Sequence, residues 1–338
     1  MNKKTIAVVR VGDYTWATDT DENAILSGIV SLEEGDAASS ARVVLADPRL
    51  EVANAIPLPY KKSRTPFEVW FGYGPTLTKV FHGFLASIRP GGLPGRVELY
   101  ATDQAKGMRR QPKARSLGQM SAAALVEKLA GENGLSVDLS QAPQLNDLTF
   151  ASVLQHGESD WDTAQRIVEA AGCRLYERNG TLFVKEVGAS DDSAQVIVVE
   201  FGVNVRNGFS FTIDELTRST TPNVQDLGGD RTFEAGFDTD AAERIVQLER
   251  TGLTLQNEDS PSYSSQAAQR AQRAQARAKE LFKGNIPLDR AYPEIDVDGM
   301  AELRGFGPRF SGFWNVRSVS HDLVQGHTSI SIYNGGSE

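Results

Sequence analysis

Short alternating apolar runs, separated by glycine and proline, fill the first hundred residues. Ala41–Ala46 and Phe67–Phe71 are β-type runs, and Gly72-Tyr73-Gly74-Pro75 leads into the extended segment Lys79–Ile88. Pro90-Gly91-Gly92-Leu93-Pro94-Gly95 then punctuates the chain before Arg96–Ala101. Short strands with this spacing predict a barrel or sandwich. The opening run through Ile6 and Val9 is too short for a signal-peptide core and predicts a first strand.

The period changes near residue 103. Lys106, Arg109, Arg110, Lys113 and Arg115 have little periodicity and read as a basic connector. Ser121 then precedes the helical stripe Ala122, Leu125, Val126, Leu129 and Ala130, which Gly134 can end. Ser159 and Asp162 have the spacing of a capping box, and Trp161, Ala164, Ile167, Val168 and Ala171 follow at helical intervals. Asn179-Gly180 separates two β-type runs, the strongest short-range signal for a hairpin. Strand patterns return at Val196–Phe201 and Gly208–Ile213. Ala267, Ala271, Ala274, Ala278 and Leu281 form the narrow seam of a helix, suited either to light surface packing or to contact with a neighbouring subunit.

The early turn-and-strand pattern has a late echo. Gly72-Tyr73-Gly74-Pro75 and Phe81-His82-Gly83-Phe84 match Gly305-Phe306-Gly307-Pro308 and Phe310-Ser311-Gly312-Phe313. An alternating strand follows each, Arg96–Tyr100 in one and Thr328–Ile332 in the other. The fold expected is therefore mainly β with an α+β insertion: two tube-like β-barrel domains related by internal duplication, plus a small α/β module. Residues 1–115 form the first barrel domain and 116–190 the helix/hairpin module. Residues 191–338 form the second barrel, interrupted by a helix at about 262–283. Three copies of such a chain would present six near-equivalent units and could join a six-fold ring to a three-fold object.

Composition narrows the chemistry. The chain of 338 residues has a net charge of −9 and one cysteine, Cys173, so neither an internal disulfide nor a Cys-based zinc cluster can form. No apolar stretch is long enough for a membrane-spanning helix. Lys and Arg exceed Asp and Glu by 16 to 12 in residues 1–115, and the acid excess lies after them. His82, His156, His321 and His327 fall in no metal-binding array, and His321 beside Asp322 reads as structural. Asp19–Asn23 resembles the start of a calcium loop, but Ala24 and Val30 stand where glycine and glutamate are required. Glu158, Asp160 and Asp162 cluster as glycosidase carboxylates do, although acids at a helix start are explained by capping. No catalytic, cofactor or metal site is expected.

The Phe71–Gly74 and Phe81–Phe84 segments, Glu158-Ser159-Asp160-Trp161, Asn179–Phe183, and Phe310–Phe313 with Val316, Val319 and His321 occur in an order that resembles a known family. They are similar to the baseplate hub proteins of tailed phages, the late-control D family, related to the N-terminal part of type VI secretion VgrG spikes. The resemblance implies a non-enzymatic homotrimer forming a pseudo-hexameric ring at the distal end of a phage tail tube. It implies as partners the tail tube or a tube-initiator protein, other baseplate proteins and a spike, here expected to be a separate protein. DNA would pass only in transit, through a bore that the acidic bias predicts to be acidic, with no insertion into a membrane. The virion tail baseplate, assembled in the bacterial host cytoplasm, is the implied location. A tail-tip peptidoglycan hydrolase and a cell-wall carbohydrate-binding module are the competing readings.

Overall fold

The computed structural model describes residues 4–19, 25–35, 37–57, 64–91, 95–150, 152–186, 196–213, 224–225, 232–237, 246–251, 282–297 and 299–334. The first β unit comprises β1 (Thr5–Val11), β2 (Tyr14–Ala17), β3 (Ile25–Glu33), β4 (Ser40–Ala46), a short helix α1 (Glu51–Ala55), β5 (Pro66–Tyr73), β6 (Thr76–Gly91) and β7 (Arg96–Thr102). The module follows with α2 (Lys106–Arg110), β8 (Lys113–Ser116), β9 (Met120–Ser121), α3 (Ala122–Gly131), β10 (Ser136–Gln141), β11 (Thr149–Phe150), β12 (Leu154–Glu158), α4 (Asp160–Ala170), β13 (Cys173–Arg178) and β14 (Thr181–Glu186). The second β unit has β15 (Val196–Glu200), β16 (Ser210–Ile213), β17 (Val224–Gln225), β18 (Thr232–Phe237), β19 (Val246–Thr251), β20 (Phe282–Pro287), β21 (Met300–Arg304), β22 (Gly312–Asp322) and β23 (His327–Asn334). The fold is mainly β with an inserted α+β module.

The two β units have one strand order. Along the sheet the first runs β1-β5-β6-β7-β4-β3 and the second β15-β21-β22-β23-β20-β16, the same sequence of roles in space. They differ at one edge, where β1 is antiparallel to β5 but β15 is parallel to β21. Each repeated turn joins two strands of a meander, β5-β6-β7 and β21-β22-β23. The duplication extends to a bulge. The β6–β7 register slips between Leu85 and Ser87, and the β22–β23 register slips between Val316 and Ser318. These bulges set Leu85 against Val316, two residues out of step with the Phe-x-Gly-Phe match. Phe81 accordingly lies inside β6, whereas Phe310 precedes β22.

The units meet where β3 pairs antiparallel with β22, Leu32 opposite Val319 and Val30 opposite His321. That ladder makes one thirteen-stranded sheet, and one apolar cluster runs through both units. Its members recur at every second strand position (Ala41, Val43 and Leu45; Val97, Leu99 and Ala101), as a one-sided sheet requires. Gly28 lets the chain close there, because a Cβ would meet the Leu323 side chain at 2.8 Å.

Local signals shape the module. Ser159 accepts from the Asp162 amide while Asp162 accepts from the Ser159 amide, so α4 starts with the expected capping box. Asn179 and Gly180 both take positive φ between β13 and β14, as a two-residue hairpin demands. The segment 106–115, read as a connector, is structured instead. Met108 of α2 is buried, and β8 pairs with β12. The Arg109 guanidinium sits 3.5 Å from the Trp161 ring centre and holds Asp103 at 2.6 Å, so its cations are packing elements of a joint. The helix expected at about 262–283 lies outside the described residues up to 281, and Phe282 and Lys283 open β20.

Contacts fasten the module to both units. Lys185 of β14 reaches Glu34 beyond β3 at 3.4 Å and donates to the Val297 carbonyl at 2.9 Å. Arg178 pairs with Asp296, and the Gly35 amide donates to the Leu175 carbonyl.

Candidate functional site

Eight strands, β6-β7-β4-β3-β22-β23-β20-β16, form a continuous band with one face buried in the shared core. The opposite face is partly exposed, with Tyr333 buried on it beneath Arg174 of the module, and strand registers set its side chains in rows. Thr102, Ser40, Ser31, Ser320 and Ser329 stand side by side across five strands and across the junction of the two units. The adjacent row is Tyr100, Arg42, Ile29, Asp322 and His327. Short hydroxyl side chains make up the first row of this wall, and longer side chains stand in the second.

Charges of both signs stand on it. Arg42 donates to Glu98 at 2.5 Å and Arg89 approaches the same carboxylate at 3.4 Å, while Glu33, Asp322, Arg96 and, on β20, Lys283 share the face. Among the described residues of this face, cations stand beside the acids, so the net acidity of the chain is not concentrated there. The acid excess belongs to residues after 115, whereas the first unit, which supplies half of the wall, brings arginines.

The carboxylates grouped near α4 are committed to structure. Asp160 accepts from Lys113 at 2.5 Å, Arg115 at 3.0 Å, Gln155 at 2.9 Å and Asn133 at 2.9 Å. Burial opposes its ionisation, but these bonds and the Lys113 charge hold its carboxyl below the usual range. Asp162 serves the cap, and Glu158 binds Arg166 at 2.9 Å and Thr163 at 3.2 Å. All three carboxylates are thus held by structural partners. A raised carboxyl occurs elsewhere. Burial and the neighbouring Asp103 push Glu177 up to about 7, within the joint between β13 and the end of β7.

The histidines are dispersed. His321 is buried at the junction, with Nδ1 3.0 Å from the Thr328 hydroxyl and its ring 5.5 Å from Phe71 of the first unit. Burial, with the Arg178 charge, lowers its pKa to about 3, so it is a neutral packing group. His82 bonds Gln104 at 3.0 Å, and burial lowers its pKa too. His156 lies on β12 and His327 on the partly exposed face of β23. Cys173 is buried on β13. Among the described residues no group of His, Cys, Asp and Glu could hold a metal ion, and no helix is long and apolar enough to cross a membrane. What sequence reasoning missed is the wall itself. Its local signal is the polar half of each alternating strand, such as Arg96, Glu98 and Tyr100, but nothing local says that β3 continues into β22.

Comparison with known proteins adds a family and a set of folds. No curated protein matches the chain. Among solved structures, a tail protein from Neisseria meningitidis MC58 superposes with a TM-score of 0.65 at 15% identity, over 98% of this chain and 96% of that one. The 43 kDa tail protein of prophage MuSo2 from Shewanella oneidensis gives 0.64 at 11% identity, over 98% and 99%. The E. coli protein c3393, a type VI secretion component described as structurally similar to the T4 bacteriophage tail proteins gp27 and gp5, gives 0.54 at 10%, over 98% and 77%. The fold is thus that of phage tail proteins. The family model that matches, over residues 39–325, is a different one from the late-control D family and is described by its domain alone. By the extent of that match, the chain belongs to the family described as the Alg8 N-terminal domain.

Proposed function

We propose that this chain is a structural hub at the distal end of a phage tail tube, acting as a ring of three copies. The observation that carries the reading is the repeated six-strand order joined through β3 and β22. One chain thereby supplies two near-equivalent sectors of a single continuous sheet. Three chains would give six sectors facing a six-fold tube while keeping three-fold symmetry toward a spike. The division at about 115 and 190 belongs to this reading, with the two β units building the wall and the module facing other baseplate proteins. The tail tube or a tube-initiator protein, other baseplate proteins and a separate spike are its partners, and the virion tail baseplate, assembled in the host cytoplasm, is its location. The fold shared with tail proteins supports it.

The partly exposed face becomes the bore. Hydroxyl rows, with Arg42 and Arg89 held on Glu98, present no dense cluster of cations to release counterions, so the duplex slides past. No enzymatic step is assigned to the chain, since Glu158, Asp160 and Asp162 are held by structural partners.

The test is the mass of the purified chain in solution together with class-averaged images. A ring-shaped trimer is expected. A stable monomer that clears cell walls in a zymogram would replace this reading with the hydrolase.

A further inference from the structure

Inside the chain, the second half of β22 is held on one edge by β23 and on the other by β3 of the first unit. Its counterpart in the first unit is the second half of β6, from Ser87 to Gly91. That segment is held by β7 on one edge, and its other edge has no strand partner among the described residues. At the far end of the band, β16 is the counterpart of β3. It pairs with β20 on one edge, and its outer edge likewise has no strand partner among the described residues. The chain thus contains one filled junction of the type β3–β22 and presents, at its two ends, the separate halves of a second.

Resting on the ring reading above, we propose that copies join by pairing β16 of one chain antiparallel to the second half of β6 of the next, continuing the sheet from copy to copy. The internal junction fixes the register. Val319 faces Leu32 inside the chain. The bulges equate Val319 with Ile88, and the ladders through β4 and β20 equate Leu32 with Ile213. Ile88 of one copy therefore faces Ile213 of its neighbour, with Arg89 opposite Thr212.

Burial agrees. Val319 and Leu32 are 1% and 3% exposed, whereas Ile88 is half-buried and Ile213 is 48% exposed in the single chain. Exposed Phe201, Val203 and Phe313 in the second unit add apolar surface of the kind an interface covers. Arg89 and Pro90 on the β6 edge discourage pairing with arbitrary strands, as edge charges and prolines do, while a matched register retains the Ile88 contact.

The experiment uses the full chain with Ile88→Cys and Ile213→Cys combined, oxidised mildly, beside each single variant. Cross-strand thiols within about 4.4–6.8 Å Cα spacing can bridge. The expected result is a covalent trimer on a denaturing gel for the double variant and none for either single one. In parallel, Ile213→Asp, at an exposed position, should keep the circular dichroism of the parent yet sediment as a monomer. A wild-type trimer whose double variant does not cross-link, and which survives Ile213→Asp, overturns this junction while leaving the ring intact. A wild-type monomer overturns the ring and the junction together.

Discussion

The first β unit passes from β3 to β4 through residues 34–39, whereas the second takes residues 214–281 between the equivalent β16 and β20. Strand order, meander and bulge nevertheless coincide in the two. Their cores do not. The position of Gly83 in β6 corresponds to Trp314 in β22, a fully buried indole that packs on Phe211 and Phe282. The first unit supplies bulk instead from Phe67, Phe71 and Phe81. Backbone pairing is thus what the two units share, while side-chain volume has been placed differently around it. That is the tolerance expected of cores whose total volume and patterning are kept.

Three changes test how far the equivalence goes. The largest effect is expected for Trp314→Ala, a cavity costing about 3–5 kcal/mol, read from the urea midpoint. An effect below about 1 kcal/mol would mean that the indole is not the centre of the second unit. Gly83→Ala, at the matching place, should cost about 1–3 kcal/mol for the opposite reason, because a Cβ would overlap the Thr102 carbonyl. A neutral outcome would show that β6 and β7 are not pressed together there.

The smallest concerns pH. His321 corresponds to Pro90, so only the second unit carries a buried imidazole in the wall. Its folded pKa, about 3, lies below the ordinary 6.5, so the unfolded chain binds the proton first. Stability is full above pH 6.5 and falls as pH drops toward 3, by about 1.4 kcal/mol at pH 5.5. Glu177 acts in the other direction. Its folded pKa of about 7 lies above the ordinary 4.5, so it contributes stability below pH 4.5 that is lost as pH rises through 7. Comparing wild type with His321→Gln at pH 7.5 and 5.5 isolates the histidine. If the difference between the two proteins is the same at both pH values, His321 is not buried as a neutral group.

Much of the candidate site escaped local reading for a definite reason. The helix cap at Ser159, the hairpin at Asn179-Gly180 and the two Gly-aromatic-Gly-Pro turns depend on residues a few positions apart, and each forms as its spacing predicts. The segment 106–115 was misread because its cations have no period. Their roles come from partners far along the chain, Trp161 for Arg109 and Asp160 for Lys113 and Arg115. Net charge is likewise silent here, because it is a sum over the chain and says nothing about which residues share a face.

The amino-acid sequence by itself determined the β-rich class, the inserted module and the presence of a repeat, since hydrophobic period, caps and turns are short-range physics. Tertiary structure alone decided that the two units share one sheet and one core, that the Phe-x-Gly-Phe copies stand two residues out of register, and that a row of hydroxyl side chains runs across both. Those outcomes rest on pairing residues 29–33 with 318–322. Strand alternation permits many such pairings. The joint burial of Leu32, Val319 and His321 selects this one.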